Sequence, residues 1–317
     1  MKRKGNLYQD IISIENLTLA ESIARKGKLN QYGVKVFDKN AEANIIALHQ
    51  SLLNKTFTTS AYSIFKIHEP KEREIYRLPY CPDRIVHHGI MLKLEDLFVK
   101  SFTADTYSCI KGRGIHATSF VLRKALKDES ATKYYLKIDI QKFYPSVDHD
   151  ILKLLLRRKI KDTDLLWLLD NIIDSAPGIP IGNYLSQYFG NFYLNGLDHY
   201  LKEKLGVKHL FRYADDIVIL SGSKEYLHNI LGEIKIYLEV NLKLKLKPNY
   251  RIAPVEPNGI DFAGYVHFHK YVLIRKKIKQ NLARKVAKGI APASRASYNG
   301  ILKHCNSIHL RKKLLSA

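Results

Sequence analysis

The chain is poor in cysteine, methionine, tryptophan and, above all, acid. Its 317 residues include 3 cysteines, 2 methionines and 1 tryptophan. Cys81, Cys109 and Cys305 are odd in number and far apart, so they suggest neither a disulfide framework nor a zinc knuckle. A reduced, intracellular protein is expected. The 13 histidines are scattered, and His87-His88 lacks a matching ligand set, which argues against a histidine–zinc site. No apolar run reaches the roughly 18 residues of a membrane-crossing helix, and there is no lipidation signal. The basic start Met1-Lys2-Arg3-Lys4 is not followed by the apolar stretch of a signal peptide. No membrane association is therefore expected. The acid deficit has a positive meaning: 30 Asp and Glu stand against 52 Lys and Arg, a net charge of +22. Such an excess points to a polyanionic partner, most simply nucleic acid.

What is present is globular: 46% hydrophobic and 26% charged residues, enough chain for a large core divided into two or three subdomains. Residues 1–60 read as helical and polar, with Glu42 to Leu53 at helical spacing. Tyr62 to Ile67 alternates like a strand, runs into Glu69-Pro70-Lys71-Glu72, and returns through Arg73 to Arg77 as a hairpin that could hold Lys66 and Arg73 side by side. Lys111-Gly112-Arg113-Gly114 is a glycine-punctuated basic loop before a helix that Thr118 could cap. Asp148 is placed to cap a helix over 151–160, followed by an apolar helix over 165–173. Pro177-Gly178-Ile179-Pro180-Ile181-Gly182 makes a stiff loop before a helix with apolar positions at 185, 188, 189, 192 and 197. Leu227 to Leu238 spells an amphipathic helix with Ser223 as cap, and Leu242 to Lys247 alternates strictly, predicting a strand with one lysine face.

Two stretches carry chemistry. In Phe211-Arg212-Tyr213-Ala214-Asp215-Asp216-Ile217-Val218-Ile219-Leu220, two short strands meet at a tight turn bearing adjacent carboxylates. Paired negative charges between apolar strands are costly unless offset, and a divalent cation, a hard ion that prefers oxygen ligands, would offset them. Taken alone, the tetrapeptide reads equally well as a hairpin with a polar tip. The second stretch, Lys133 to Val147, is a strand that delivers Asp139 at its end and is stopped by Pro145.

A lone carboxylate ending an apolar strand, followed by a Tyr-Ala-Asp-Asp hairpin, resembles the palm of a reverse transcriptase. The resemblance implies an α+β right-hand polymerase: N-terminal extension and fingers over 1–132, palm over 133–266 with 150–180 contributing to the fingers, and a basic helical thumb over 267–317. It implies two magnesium ions held by Asp139, Asp215 and Asp216, with Ile140 beside Asp139 among the metal positions, and phosphoryl transfer from a dNTP to a primer 3′ hydroxyl. In the family, a Lys and an Arg of the fingers hairpin grip the triphosphate, which assigns Lys66 and Arg73 to the nucleotide. Tyr144 falls where the family places an aromatic steric gate, with Phe143 as the competing ring. Arg84 in Asp83-Arg84-Ile85-Val86 would lie near template or nucleotide, and Lys111 and Arg113 would meet template phosphates. Phe262 and Gly264 of Phe262-Ala263-Gly264 would grip the primer end. From Phe262 to Ala317 there are 13 Lys and Arg and no Asp or Glu, the charge a thumb laid along an RNA–DNA duplex needs.

The chain departs from the usual pattern at Ile181-Gly182 and Ser186-Gln187, where most reverse transcriptases have Gln-Gly and Ser-Pro. Ile-Gly-x-x-x-Ser-Gln looks like the variant of diversity-generating retroelements. That resemblance implies copying of a template-repeat RNA with misincorporation opposite adenine, assigns Ile181, Gly182 and Gln187 to the nucleotide, and implies a basic, pentameric accessory variability protein as partner. It also implies a prokaryotic cytoplasm, the element being carried by the cell or by a phage. The length leaves little room for a domain beyond the thumb. Two other readings stand beside it: a retron or group II intron-like enzyme of ordinary fidelity, and a catalytically silent RNA-binding protein on a polymerase scaffold.

Overall fold

The computed structural model describes residues 3–68 and 72–315. The chain divides into two compact units: Met1–Thr103 with Gln141–Gly196 and Glu239–Leu244, and Ala104–Ile140 with Leu197–Leu238 and Lys245–Ala317.

The first unit is mostly helical. Helices α1 (Tyr8–Ile12), α2 (Ile14–Ala24), α3 (Tyr32–Asp38) and α4 (Ala41–Leu53) fill the N-terminal stretch as its apolar spacing predicts. Helix α2 begins where the Ser13 hydroxyl accepts from the Asn16 amide, one of the orphan donors of a first turn. Its buried face, Leu17, Ala20 and Ala24, accompanies α5 (Ile85–Ser101), whose Ile85, Ile90 and Leu94 are equally buried. The Asn16 side chain donates to the Gly89 carbonyl at 3.1 Å. Strands β1 (Ser63–Ile67) and β2 (Arg73–Arg77) pair antiparallel as a two-stranded ribbon. The turn expected at Glu69-Pro70-Lys71 lies outside the described residues. Register pairs Lys66 with Glu74 and Ile67 with Arg73. Successive residues of a strand point to opposite faces, so Lys66 and Arg73 project from opposite sides of the ribbon; the side-by-side expectation is corrected.

The second unit is built on a four-stranded antiparallel sheet in the order β4-β5-β3-β6, formed by β3 (Tyr134–Asp139), β4 (His209–Tyr213), β5 (Asp216–Ser221) and β6 (Arg251–Pro254). Pleating divides the sheet's residues. One face carries Tyr135, Phe211, Val218, Leu220 and Ala253 into a core shared with Leu122 of α6 (Ile115–Ala125) and with Phe262. The other carries Leu136, Ile138, Ile217 and Ile219, all buried. A three-stranded meander, β7 (Ile260–Phe262), β8 (Tyr265–His267) and β9 (Val272–Ile274), follows. The basic C-terminal stretch is α12 (Lys276–Ala287), α13 (Pro292–Leu302) and α14 (Ile308–Leu315) around Leu282 and Leu302; α11 is the single turn Val255–Asn258.

Helices α7 (His149–Arg157), α8 (Thr163–Ile173), α9 (Tyr184–His199) and α10 (Lys224–Leu242) lie where expected. Asp148 caps α7 by accepting from the Ile151 amide, and Ser223 accepts from the Tyr226 amide at 3.1 Å. Two expectations are corrected. Thr118 does not cap α6; it lies within the first turns and its hydroxyl donates to the Gly114 carbonyl at 2.7 Å. Leu242 to Lys247 is not a strand. Helix α10 runs on to Leu242, Lys243 turns out at a positive φ of 50°, and only a single bridge from Leu246 to Ile140 follows. The alternation there reflects a helix end and a crossing segment, not a pleat. The last helix starts at Ile308, while Asn299 to Leu302 close the helix before it.

Candidate active site

The sequence-predicted carboxylates belong to the second unit. Asp139 ends β3 and Asp216 opens β5, and the two are direct cross-strand partners, with Tyr213 of β4 in the same row. Directly paired residues put their side chains on one face, about 4.5–5.5 Å apart at Cβ. Asp215 sits beside them in the two-residue turn. Bringing carboxylates together in a half-buried place has the expected electrostatic result. Burial pushes the Asp216 carboxyl up to about 6; Lys137 opposes the rise, and the charges of Asp139 and Asp215 add to it.

Two lysines answer part of this charge. Lys247 Nζ lies 2.5 Å from Asp139 Oδ2, and Lys137 Nζ lies 3.5 Å from Asp216 Oδ2. The second oxygens do not find partners: Asp139 Oδ1 and Asp216 Oδ1 are both buried without a hydrogen bond. Two orphaned carboxylate oxygens on directly paired residues are a donor set suited to a hard divalent cation such as magnesium. Ile140 is fully buried and has only its main-chain carbonyl to offer. Among the described residues, no three His, Cys, Asp or Glu side chains come together as a complete metal-binding group. The Asp139–Asp216 pair shares one face of the sheet, with Asp215 next to Asp216 in the chain.

The turn is held by residues that the motifs do not mark. Ala214 sits at a positive φ of 55°, a region that favours glycine. Its amide donates to Ser108 Oγ at 3.0 Å, and its carbonyl accepts from Arg212 Nη1 at 3.1 Å. Arg212 is itself completely buried on the opposite face of the sheet, where Nη2 reaches Asp198 Oδ2 at 2.6 Å and Thr106 Oγ1 at 3.2 Å. A guanidinium in that position requires a full set of acceptors. Thr106 and Ser108 lie 106 positions from their partners and Asp198 lies 14, and together they form no spacing pattern. The only visible signal was an arginine within an otherwise apolar strand.

Lys137 has a second partner, donating to the main-chain carbonyl of Asp261 in β7. The Asp261 carboxylate pairs with Arg275 Nε at 2.5 Å, which fastens the start of α12 to the same hairpin. Phe262 is wholly buried in the core, so its ring supports the β7–β8 turn and does not itself reach a primer; that expectation is corrected. Gly264 is needed for its φ of 89°, and a Cβ there would meet only Ile278 at an ordinary 3.6 Å. Lys111 is exposed. Arg113 is half-buried, and its Nη1 donates to the Thr106 carbonyl at 2.8 Å, a main-chain duty in the free protein.

The remaining predicted residues belong to the first unit. Phe143 is buried, with Gly190 leaving room for its ring, and Tyr144 is half-buried. Phe143 is thus the core aromatic of the two. Lys66 and Arg73 are exposed, Lys66 pairing with Glu72 at 3.0 Å. Arg84 is half-buried beside Arg77, and burial followed by that neighbouring charge lowers its pKa. It helps line a cavity of about 720 Å³ with Arg77, Tyr32 and Tyr80. Ile181 is half-buried and Gln187 exposed on α9. Gly182 has φ 126°, and a Cβ there would stand 2.3 Å from the Tyr76 carbonyl oxygen, so only glycine fits.

The fold and the acidic turn define the class. The structure resembles a telomerase from Candida albicans, in complex with the TWJ fragment of telomeric RNA, with a TM-score of 0.53 at 10% identity over 85% of this chain and 60% of that one. This likeness concerns the fold alone, that of a right-hand polymerase. The chain belongs to the reverse transcriptase (RNA-dependent DNA polymerase) family, whose model matches residues 66–252, more than half its length. It is 33% identical over 194 residues to the retron Ec73 reverse transcriptase of Escherichia coli, covering 56% of this chain and 60% of that one. Over 255 residues it is 25% identical to Protein YkfC of Escherichia coli, covering 66% and 65%. Over 329 residues it is 21% identical to the group II intron-encoded protein LtrA of Lactococcus lactis subsp. cremoris, covering 80% and 54%. The chain thus spans less than two thirds of the length of each. Among the described residues no helix is long and apolar enough to cross a membrane.

Proposed function

We propose that this protein is an RNA-directed DNA polymerase that extends a primer along an RNA template. The observation that carries the reading is the cross-strand Asp139–Asp216 pair, each member with a buried and unpartnered Oδ1, in a chain of the reverse transcriptase family. Asp139, Asp215 and Asp216 would hold two magnesium ions, with the Ile140 carbonyl as a further oxygen. When bound, the magnesium pair supplies activation of the primer 3′ hydroxyl and neutralisation of charge on the dNTP as its α-phosphorus is attacked and pyrophosphate leaves. The protein's own contribution is positional. Arg212 and Ser108 hold the strained Ala214 peptide, and with it the two adjacent aspartates, while Lys137 and Lys247 pair with Asp216 and Asp139 and hold them in place. Arg73 is assigned to the triphosphate, Lys66 being on the other face of the ribbon and paired with Glu72. Tyr144 is assigned to exclusion of a ribose 2′-OH, and Arg84, Lys111 and the basic α12 and α14 to the phosphates of template and duplex.

Within this activity we propose the diversity-generating type, supported by Ile181-Gly182 and Ser186-Gln187. An isoleucine side chain neither donates nor accepts a hydrogen bond, so a pocket that has Ile181 in place of glutamine discriminates less between right and wrong pairs. The product would be cDNA of a template-repeat RNA altered at adenines, made with a basic pentameric accessory protein. The identity to the retron enzyme favours a second reading, a reverse transcriptase of ordinary fidelity.

The test is primer extension on an RNA template with purified protein, magnesium and dNTPs, with Asp215→Asn as control. Equal incorporation by the variant would sink the site assignment and leave the silent-scaffold reading. Sequenced products separate the two enzymatic readings: errors concentrated opposite adenine support the diversity-generating type, and uniformly low error selects the other.

A further inference from the structure

The loop carrying Ile181 and Gly182 is fastened at three points, all within the first unit. At its start, the Ile179 amide donates to the Tyr144 carbonyl at 2.9 Å, and Gly178 lies so close that a Cβ would stand 2.4 Å from that same oxygen. At its end, the Tyr76 amide of β2 donates to the Ile181 carbonyl at 2.8 Å, and the absent side chain of Gly182 lets the two backbones touch. The third point is made of side chains. Asn183 Nδ2 donates to the Tyr62 hydroxyl at 2.8 Å, and that hydroxyl lies 2.7 Å from Ser175 Oγ. Ser175 Oγ in turn donates to the Ile172 carbonyl at 2.6 Å. The Tyr62 ring packs edge-on against Tyr76 at 5.5 Å between centroids.

Tyr62 immediately precedes β1 and Tyr76 lies in β2, so both strands of the exposed hairpin are rooted on the Ile181 loop. Beyond that root the ribbon has little support: Ile64 and Phe65 are 55% and 43% exposed. A two-stranded ribbon is marginal by itself, and its direction must be set where it is anchored. Asn183 is 5% exposed, and its Oδ1 has no partner. A buried amide with an orphaned acceptor is poorly chosen for stability alone, which makes the bond it does form to Tyr62 the reason for its presence.

From this geometry we infer that Tyr62 and Asn183 form a positioning latch. It transmits the attitude of the β1–β2 hairpin to Ile181 and Tyr144, and so sets how strictly the nucleotide is selected. The inference rests on the polymerase reading for its catalytic consequence but not for the mechanical coupling itself. Neither residue touches substrate in this account; each acts through the loop.

The test uses the full-length protein with Tyr62→Phe, Asn183→Ala and Ser175→Ala. Tyr62→Phe keeps the ring packing and removes the hydroxyl. Asn183→Ala removes only the latch bond. Ser175→Ala leaves the Tyr62–Asn183 bond intact and removes only the hydroxyl's second contact, with Ser175 Oγ. Amide hydrogen exchange of the Tyr76 peptide should accelerate about tenfold in the first two and stay near wild type in the third. The ratio of kcat/KM for correct against mismatched dNTP should fall about fivefold in the same two variants, with kcat for the correct pair within about twofold. Unchanged Tyr76 exchange in both latch variants overturns the coupling, whether or not the protein polymerises. Faster exchange with unaltered selectivity in an active enzyme overturns the specificity role, as does an equal selectivity change in Ser175→Ala. Loss of polymerisation by the wild type would instead strike the polymerase reading, and the exchange result would still decide the latch.

Discussion

The acidic turn of the second unit and the Ile181 loop of the first are both short, irregular segments held in demanding conformations, but they are held differently. The turn is clamped by charge: Arg212, buried against Asp198, reaches the Ala214 carbonyl, and two lysines face the carboxylates. The loop is held by fit: glycines at 178 and 182 allow main chains to meet, and neutral hydroxyl and amide groups secure the ends. A charge clamp fails abruptly, because removing one partner leaves an uncompensated charge. A fitted loop fails in proportion to the space disturbed. A turn that holds carboxylates together has need of the first, and a loop proposed to judge the shape of a base pair would have need of the second.

The largest effects should therefore come from the acidic turn. Asp139→Asn or Asp216→Asn should reduce primer extension by about a thousandfold or more, with the melting temperature of Asp216→Asn unchanged or raised. The sign follows from burial, which holds the Asp216 carboxyl near 6: at neutral pH the charged form is disfavoured in the folded state, and the amide removes that penalty. Thermal melting beside the activity assay checks both halves. Next comes the clamp. Asp198→Asn should destabilise by about 3–5 kcal/mol in urea unfolding, because Arg212 stays buried without its counter-charge. The pair Asp198→Leu with Arg212→Met should recover much of that stability but not activity, since the Ala214 carbonyl loses its donor. Recovery of both would erase the distinction between clamp and core.

The loop predicts a graded response. Gly182→Ala should cost about 2–4 kcal/mol, because its Cβ would meet the Tyr76 carbonyl at 2.3 Å and its φ is 126°. Gly112→Ala, at φ 77° in open space, should cost about 1 kcal/mol. Equal losses would mean that φ alone matters and the close approach does not.

Acid treats the two units alike. Burial lowers His87 in the first unit to about 3 and His267 in the second to about 4, below the ordinary value near 6.5. In the window between, the unfolded chain binds the extra proton, so stability is complete above about pH 6.5 and falls as pH drops. Each histidine should remove about 2 kcal/mol by pH 5. Urea midpoints at pH 7 and 5 measure the sum of these with His88, which burial also lowers to about 4, and His267→Phe should remove about 2 kcal/mol of the difference. The smallest effect is the most specific one: Ile181→Gln should lower error opposite template adenine by about tenfold or less, roughly 1 kcal/mol of discrimination, with little change in melting temperature.

Much of both segments was legible because their motifs obey local rules. Alternation placed β3, β4 and β5 with their carboxylates at the ends, and helical spacing placed α4, α8, α9 and α10. Local rules also misled. The lysine alternation over 242–247 imitates a strand where a helix ends, and Phe262 carries a motif position on a core side chain. Lys66 and Arg73 were close in sequence yet fall on opposite faces, because hairpin register depends on a turn that the residues flanking it do not specify.

The sequence by itself determined the polymerase class, the acidic pair and the basic character of the C-terminal helices, since each follows from residue type, period or charge within a few positions. Only the tertiary structure decided which groups hold the turn and the loop. Thr106 and Ser108 meet Arg212 and Ala214 across 106 positions of chain, Asp198 meets Arg212 across 14, and Tyr62 meets Asn183 across 121. Their identities carry no periodic signal; what selects them is the need of a buried donor or acceptor for a partner, which exists only once the chain has closed around it.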